Sequence, residues 1–184
     1  MKVTSSKLQG AILLEPVVHG DHRGFFLESY NRDSMGQSGV KHHFIQDNQS
    51  LSAQPGVLRG LHYQCNPKAQ TKLIRVIAGA IYDVIVDIRQ GSPTFGQWEG
   101  FILSEYNLRQ LLVPKGFAHG FCTLVPNTQV LYKVDEYYSP ENDRGILWSD
   151  PALEIDWPMT NPILSEKDQK LPLLKDAEMD FIFG

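Results

Sequence analysis

The chain has 184 residues, 42% of them hydrophobic and 21% charged, with a formal net charge of -4 at pH 7. That length suits one domain with its own core, and the balance is that of an ordinary globular protein. The acidic charge excludes a surface built to coat nucleic acid, and no apolar run approaches the length of a membrane-spanning helix. The first residues, Met1-Lys2-Val3-Thr4-Ser5-Ser6-Lys7, carry no apolar stretch of the kind that directs export. Cys65 and Cys122 are the only cysteines, and a pair in such a chain is expected as free thiols. The expected location is the cytoplasm, with neither nucleic acid nor membrane as a partner.

Turn signals recur at short intervals, and runs rich in β-branched and aromatic residues lie between them. In chain order, strands are expected over residues 24–31, 44–52, 57–64, 71–78, 81–89, 99–103, 110–113, 118–123 and 129–135. In the fifth of these, Tyr82, Val84, Val86 and Ile88 fall on one face, and Ile81, Asp83, Ile85, Asp87 and Arg89 on the other. That period of two marks a strand with its even face buried. Residues 32–37 have room for one or two helical turns. Ser165-Glu166-Lys167-Asp168 has the spacing of a capping box opening a short helix. The expectation is one all-β domain over residues 1–184, a sandwich or barrel with short helical pieces.

Arg59-Gly60-Leu61-His62-Tyr63 places a histidine beside a cation and a glycine, as a site needs that holds an anion and moves a proton. Counted from Val57, His62 shares a face with Leu58, Gly60 and Gln64, and Arg59 points the other way. For both to serve one site, the strand must be irregular. Gly60 is where that is expected, because a glycine inside a strand often marks a bulge. Two readings of His62 stay open: a base, or a histidine satisfied by hydrogen bonds within the core.

Pro114-Lys115-Gly116-Phe117-Ala118-His119-Gly120-Phe121 sets a second histidine at a turn-to-strand junction. Together the two segments are similar to the paired histidine motifs of cupin barrels. His62-Tyr63-Gln64, however, lacks the second histidine and the glutamate of a metal-binding set. Metal sites usually take about three or four protein ligands, so no metal is expected.

Lys72 and Arg75 stand three apart in an apolar strand and face opposite ways. A buried lysine needs a partner, for which Asp83 is a candidate. The ordinary reading of Lys72 is a solvated head on a snorkelling stem. Tyr132 is in phase with Val130 and Val134, either as a core aromatic or as a phenol that donates a proton. Tyr137-Tyr138 suits stacking on a flat ring. Asp168 has two readings, a helix cap or a carboxylate that orients a histidine. The tandem His42-His43 is read as surface, and neither these nor His19 and His22 as catalytic.

These residues sit within a series of signatures: Asp21-His22-Arg23-Gly24-Phe25-Phe26-x-Glu28, Gln46-Asp47-Asn48-x-Ser50, Val57-Leu58-Arg59-Gly60-Leu61-His62-Tyr63-Gln64, Lys72-Leu73-x-Arg75-Val76, Tyr82-Asp83-Val84-x-Val86-Asp87-Ile88-Arg89, the Pro114 to Phe121 segment, Tyr137-Tyr138-x-Pro140 and Ser165-Glu166-Lys167-Asp168. In this order they resemble the dTDP-4-dehydrorhamnose 3,5-epimerases over nearly the whole chain.

The resemblance implies a cupin-like jelly roll that uses no metal or organic cofactor. It also implies a homodimer that exchanges N-terminal strands, and a short C-terminal helical segment. The implied reaction inverts two carbons of dTDP-4-dehydro-6-deoxy-D-glucose, giving dTDP-4-dehydro-L-rhamnose on the route to dTDP-L-rhamnose. It implies His62 as base, Asp168 as its orienting carboxylate, Tyr132 as acid and Lys72 as the cation facing the enolate oxygen. Arg23 and Arg59 are implied for the diphosphate and Tyr138 for the thymine. Glu28, Gln46, Asp47, Asn48, His119 and Lys167 match other substrate contacts. Asp143 stands where the family usually has a glutamate, one methylene longer, and its substrate contact is expected through water. Other readings remain: a mono-epimerase or ketoisomerase on a related sugar, a non-catalytic sugar-binding module, and a metal-dependent cupin, which the missing ligands oppose.

Overall fold

The computed structural model describes residues 1–184. Four strands, β1 (Lys2–Ser5), β2 (Ile12–Glu15), β3 (Val18–Asp21) and β4 (Gly24–Leu27), precede the one helix, α1 (Arg32–Gln37). Nine follow: β5 (Gln46–Ser52), β6 (Leu58–Gln64), β7 (Lys72–Ala78), β8 (Ala80–Asp87), β9 (Trp98–Ser104), β10 (Gln110–Val113), β11 (Phe117–Thr123), β12 (Thr128–Val134) and β13 (Asp143–Gly145). Asp168–Lys170 and Leu174–Asp176 form single 3-10 turns. No helix is long and apolar enough to cross a membrane.

One antiparallel sheet runs β1-β2-β10-β7-β12-β5 and the other β13-β6-β11-β8-β9. Their inward side chains interlock. Ile74, Val76, Leu111, Val113 and Val130 of the first sheet meet Ile81, Ile85, Leu103, Phe117 and Phe121 of the second. The fold is thus an all-β, cupin-like jelly roll, as expected. Cys65 and Cys122 are free and buried.

Three expectations need correction. The strand expected over 24–31 ends at Leu27 and pairs only with β3, in a hairpin apart from both sheets. The chain then turns into α1, where the Asn31 side chain accepts the N–H groups of Asp33 and Ser34. Secondly, β8 is buried on both faces: Ile81, Asp83, Ile85 and Asp87 are as inaccessible as Val84 and Val86. The C-terminal segment causes this by packing Leu153, Trp157 and Phe181 over the outer side of the second sheet. Lastly, the capping box forms one of its bonds, Asp168 N–H to Ser165 Oγ at 3.1 Å, but opens a single 3-10 turn rather than a longer helix.

The irregularity expected in β6 is present. His62 lies opposite His119 and Arg59 opposite Phe121, so β6 takes three steps where β11 takes two. Gly60 has φ +131°, and a Cβ added there would lie 2.5 Å from the Gly120 Cα. Only glycine meets both conditions. Gly60→Ala should lower stability by roughly 2–6 kcal/mol, the sum of backbone strain and overpacking. A urea midpoint equal to that of the parent protein would show that the bulge does not depend on this glycine.

Candidate active site

A cavity of about 440 Å³ opens at one end of the sandwich, walled by Arg59, His62, Lys72, His119, Tyr132, Lys167 and Asp168 among others. The bulge in β6 makes this possible, since it turns Arg59 and His62 toward the same space. Arg59 reaches along β5, with Nε 3.4 Å from Ser52 Oγ and Nη2 3.4 Å from the Leu51 carbonyl.

His62 is about a third exposed at its side chain, and its Nε2 lies 2.6 Å from Oδ1 of the buried Asp168. The Ser165 hydroxyl fixes the backbone of Asp168 where the chain crosses β6. Burial pushes the Asp168 pKa up. The hydrogen bond and charge of His62, helped by Ser165, outweigh it and hold the carboxyl below its ordinary range. Asp168 is therefore an acceptor at neutral pH. It accepts the hydrogen bond of Nε2–H and leaves Nδ1 as the ring nitrogen of His62 with a free lone pair.

Lys72 shares the inner face of β7 with Ile74 and Val76 and is buried, so the snorkelling reading fails. Its Nζ donates to the His62 carbonyl at 3.2 Å, and not to Asp83. Burial lowers its pKa to about 8, and Asp143 and Asp83 oppose that fall. Tyr132 is half-buried, in phase with Val130 and Val134 as expected. Burial raises its phenol pKa; Arg59 pulls it down, and Asp143 and Tyr138 add to the rise. The phenol keeps its proton at neutral pH.

His119 and Asp83 are both buried, with His119 Nε2 3.0 and 2.9 Å from the two carboxylate oxygens. A side chamber of about 140 Å³ continues past His62, Lys72 and Tyr132 to Gln46, Asn48, Tyr138 and Asp143. There Gln46 Nε2 donates to Asn48 Oδ1 at 2.8 Å and the Tyr138 hydroxyl to Asp143 Oδ2 at 3.1 Å. Lys167 donates to the same Asp143 oxygen. His42 is half-buried and lies 3.4 Å from Asp135, while His43 is exposed.

Three residues of the sequence set stand elsewhere. Alternation along β5 points Gln46, Asn48 and Ser50 to the cavity side and Asp47 to the other, where Asp47 pairs with Lys133 at 2.8 Å. Arg23 sits on the hairpin, paired with Asp21. Glu28 lies at the hairpin's base, accepting from Asn31 and Ser34. Ser50, named in a signature but given no site role, walls the cavity with a buried hydroxyl that has no partner. Its signal was its place in phase with Gln46 and Asn48.

The family model described as dTDP-4-dehydrorhamnose 3,5-epimerase matches residues 5–176. A dTDP-4-dehydrorhamnose 3,5-epimerase of Shigella flexneri is 51% identical over 179 residues, 97% of this chain and 98% of that protein. The crystal structure of the dTDP-4-dehydrorhamnose 3,5-epimerase of Bacillus anthracis, with TDP and PPi bound, is 64% identical. It covers 94% of this chain and 98% of that one, with a TM-score of 0.92. The dTDP-6-deoxy-D-glucose-3,5-epimerase of Legionella pneumophila, in complex with dTDP-4-keto-L-rhamnose, is 47% identical. It covers 95% of this chain and 93% of that one, with a TM-score of 0.91.

The state of Lys72 has a measurable consequence for stability. Folded, it holds its proton more weakly than at the ordinary lysine pKa of about 10.4. Between pH 8 and that value the unfolded chain binds more protons. The cost of burying the ammonium is therefore full below pH 8 and lifts as pH rises through this window. Lys72→Met should stabilise the fold at pH 7 and do so less at pH 10, read from urea unfolding at both. An equal difference at the two values would contradict a desolvated ammonium.

Proposed function

The chain belongs to the dTDP-4-dehydrorhamnose 3,5-epimerase family, and from that premise we propose which of its residues invert the two carbons. The enzyme converts dTDP-4-dehydro-6-deoxy-D-glucose to dTDP-4-dehydro-L-rhamnose, in dTDP-L-rhamnose biosynthesis. One observation carries the assignment of roles. A carboxylate-bound imidazole, a protonated phenol and a buried ammonium wall a single cavity.

C3 and C5 both flank the ketone at C4, so each C–H is acidified by the carbonyl. His62 Nδ1 takes the proton, and the C–H electron pair moves into the carbonyl to give an enolate. Lys72 faces the enolate oxygen, a preorganised charge where charge develops. Tyr132 returns a proton to the opposite face, and the carbonyl re-forms with the carbon inverted. His62 and Tyr132 then regain their starting states by exchange with water. Asp168 keeps His62 in the basic tautomer and stabilises the imidazolium.

Arg59 holds the diphosphate through its guanidinium fork. Gln46, Asn48, His119 and Lys167 contact the sugar nucleotide, and Tyr138 stacks on the thymine. Asp143, already engaged by Tyr138 and Lys167, reaches substrate through water. Asp47 serves through its backbone, since its side chain faces the other way. Arg23 and Glu28 act across a homodimer, carried by the hairpin to the partner's cavity. The reading is supported by a hairpin bonded to neither sheet, with Phe25 61% and Phe26 70% exposed. We further propose that residues 1–184 act as one domain in the cytoplasm, with chemistry that needs no metal or organic cofactor.

The test is exchange in deuterated water with dTDP-4-dehydro-6-deoxy-D-glucose, followed by proton NMR. Loss of both signals beside the ketone, with the L-sugar appearing, is expected. Exchange at one carbon would make the protein a mono-epimerase, and none at all a binding module. His62→Ala should cut exchange at both carbons by about 10²–10⁴-fold with the fold intact; substantial residual turnover would remove His62 as the base. In the parent enzyme kcat/KM should fall above about pH 8 as Lys72 loses its proton.

A further inference from the structure

We propose that Asp83 is a positioning residue of this enzyme, holding His119 in the Nε2–H tautomer so that Nδ1 accepts a hydrogen bond from a sugar hydroxyl. The proposal rests on the reading of the cavity as the epimerase site.

Asp83 is fully buried, in phase on β8 with the core residues Ile81 and Ile85. A carboxylate there is costly unless paired, and an apolar side chain of its size would suit the layer better. Both of its oxygens are directed at one atom, His119 Nε2, at 3.0 and 2.9 Å. A carboxylate only accepts, so the ring nitrogen is the donor. The neutral ring then has one polar atom left, Nδ1, and it belongs to a residue of the cavity wall. His119 lies directly across the strand pair from His62. The two imidazoles are thus neighbours, each oriented by its own buried carboxylate.

The first measurement uses the unaltered protein. Nitrogen-15 NMR of labelled histidine at neutral pH should find His119 protonated at Nε2 and bare at Nδ1; the opposite tautomer overturns the proposal. The second is Asp83→Asn, which keeps an acceptor and removes the charge. It should lower kcat on the order of 10- to 100-fold, as loss of an orienting partner does, with a smaller change in KM. A residue that merely props the strand would leave kcat in place, and an unchanged kcat rejects the proposal. If the variant does not fold, the tautomer of the parent protein decides. If that tautomer is found but the parent exchanges neither carbon, the epimerase assignment fails and the hold of Asp83 on His119 stands.

Discussion

The extra residue in β6 is the constraint on which the cavity depends. Regular alternation sends residues three apart to opposite faces of a strand, which would leave the guanidinium of Arg59 outside and the imidazole of His62 inside. The bulge gives β6 three steps against two in β11 and lets both line one space. It rests on Gly60, whose positive φ and close approach to Gly120 exclude any side chain. The same shift sets His62 opposite His119. A guanidinium suited to an anion and an imidazole suited to proton transfer thereby line one cavity.

Four buried or half-buried charged and basic groups, Lys72, Asp83, His119 and Asp168, then sit beside an apolar layer. Burial acts on all of them, but the compensation differs. Asp168 has more than it needs: its hydrogen bonds outweigh desolvation and keep it a carboxylate. Asp83 is spanned by one imidazole. Lys72 has least, a neutral carbonyl and two carboxylates at a distance. In the role proposed for it, that shortfall is an advantage. An ammonium fully matched by a carboxylate would gain little from a negative oxygen forming nearby, whereas an undercompensated one gains a great deal in a low-dielectric site. The same shortfall costs stability while the substrate is absent. Such a cost is common where a polar site is held ready for charge that has yet to develop.

Much of this was legible in the sequence, and the reasons differ by residue. Strands such as 110–113 are read correctly because a short apolar run between turn signals reports local geometry. The Gly60 irregularity is legible because a glycine inside a strand marks a bulge or a close backbone approach. The capping spacing of Ser165 and Asp168 likewise finds its bond. The cover on the strands was not legible. A period of two tells which residues share a face but not whether anything lies against it. The two-sided burial of β8 comes from the C-terminal segment, more than sixty residues downstream. For the same reason Lys72 read as solvated. Asp83 was placed on a face of its own strand correctly, but the choice between Lys72 and His119 depends on distances across the barrel that no local pattern carries.

The residues that motif resemblance groups together and the chain keeps apart follow a similar logic. Gln46, Asp47 and Asn48 are contiguous in the motif, yet a strand cannot aim three successive side chains at one cavity; the middle one must leave, and Asp47 does. Arg23 and Glu28 are separated for a different reason. They belong to a hairpin of two four-residue strands that pairs only with itself. A lone two-stranded hairpin is marginal in water, and this one exposes two phenylalanines side by side in sequence. Covering each is worth about 1.5–3 kcal/mol at most before entropy is charged against it. The proposed exchange between copies uses that unburied surface. On that proposal the hairpin would carry Arg23 to a neighbouring copy's cavity, beside the Arg59 that a single chain leaves far from it.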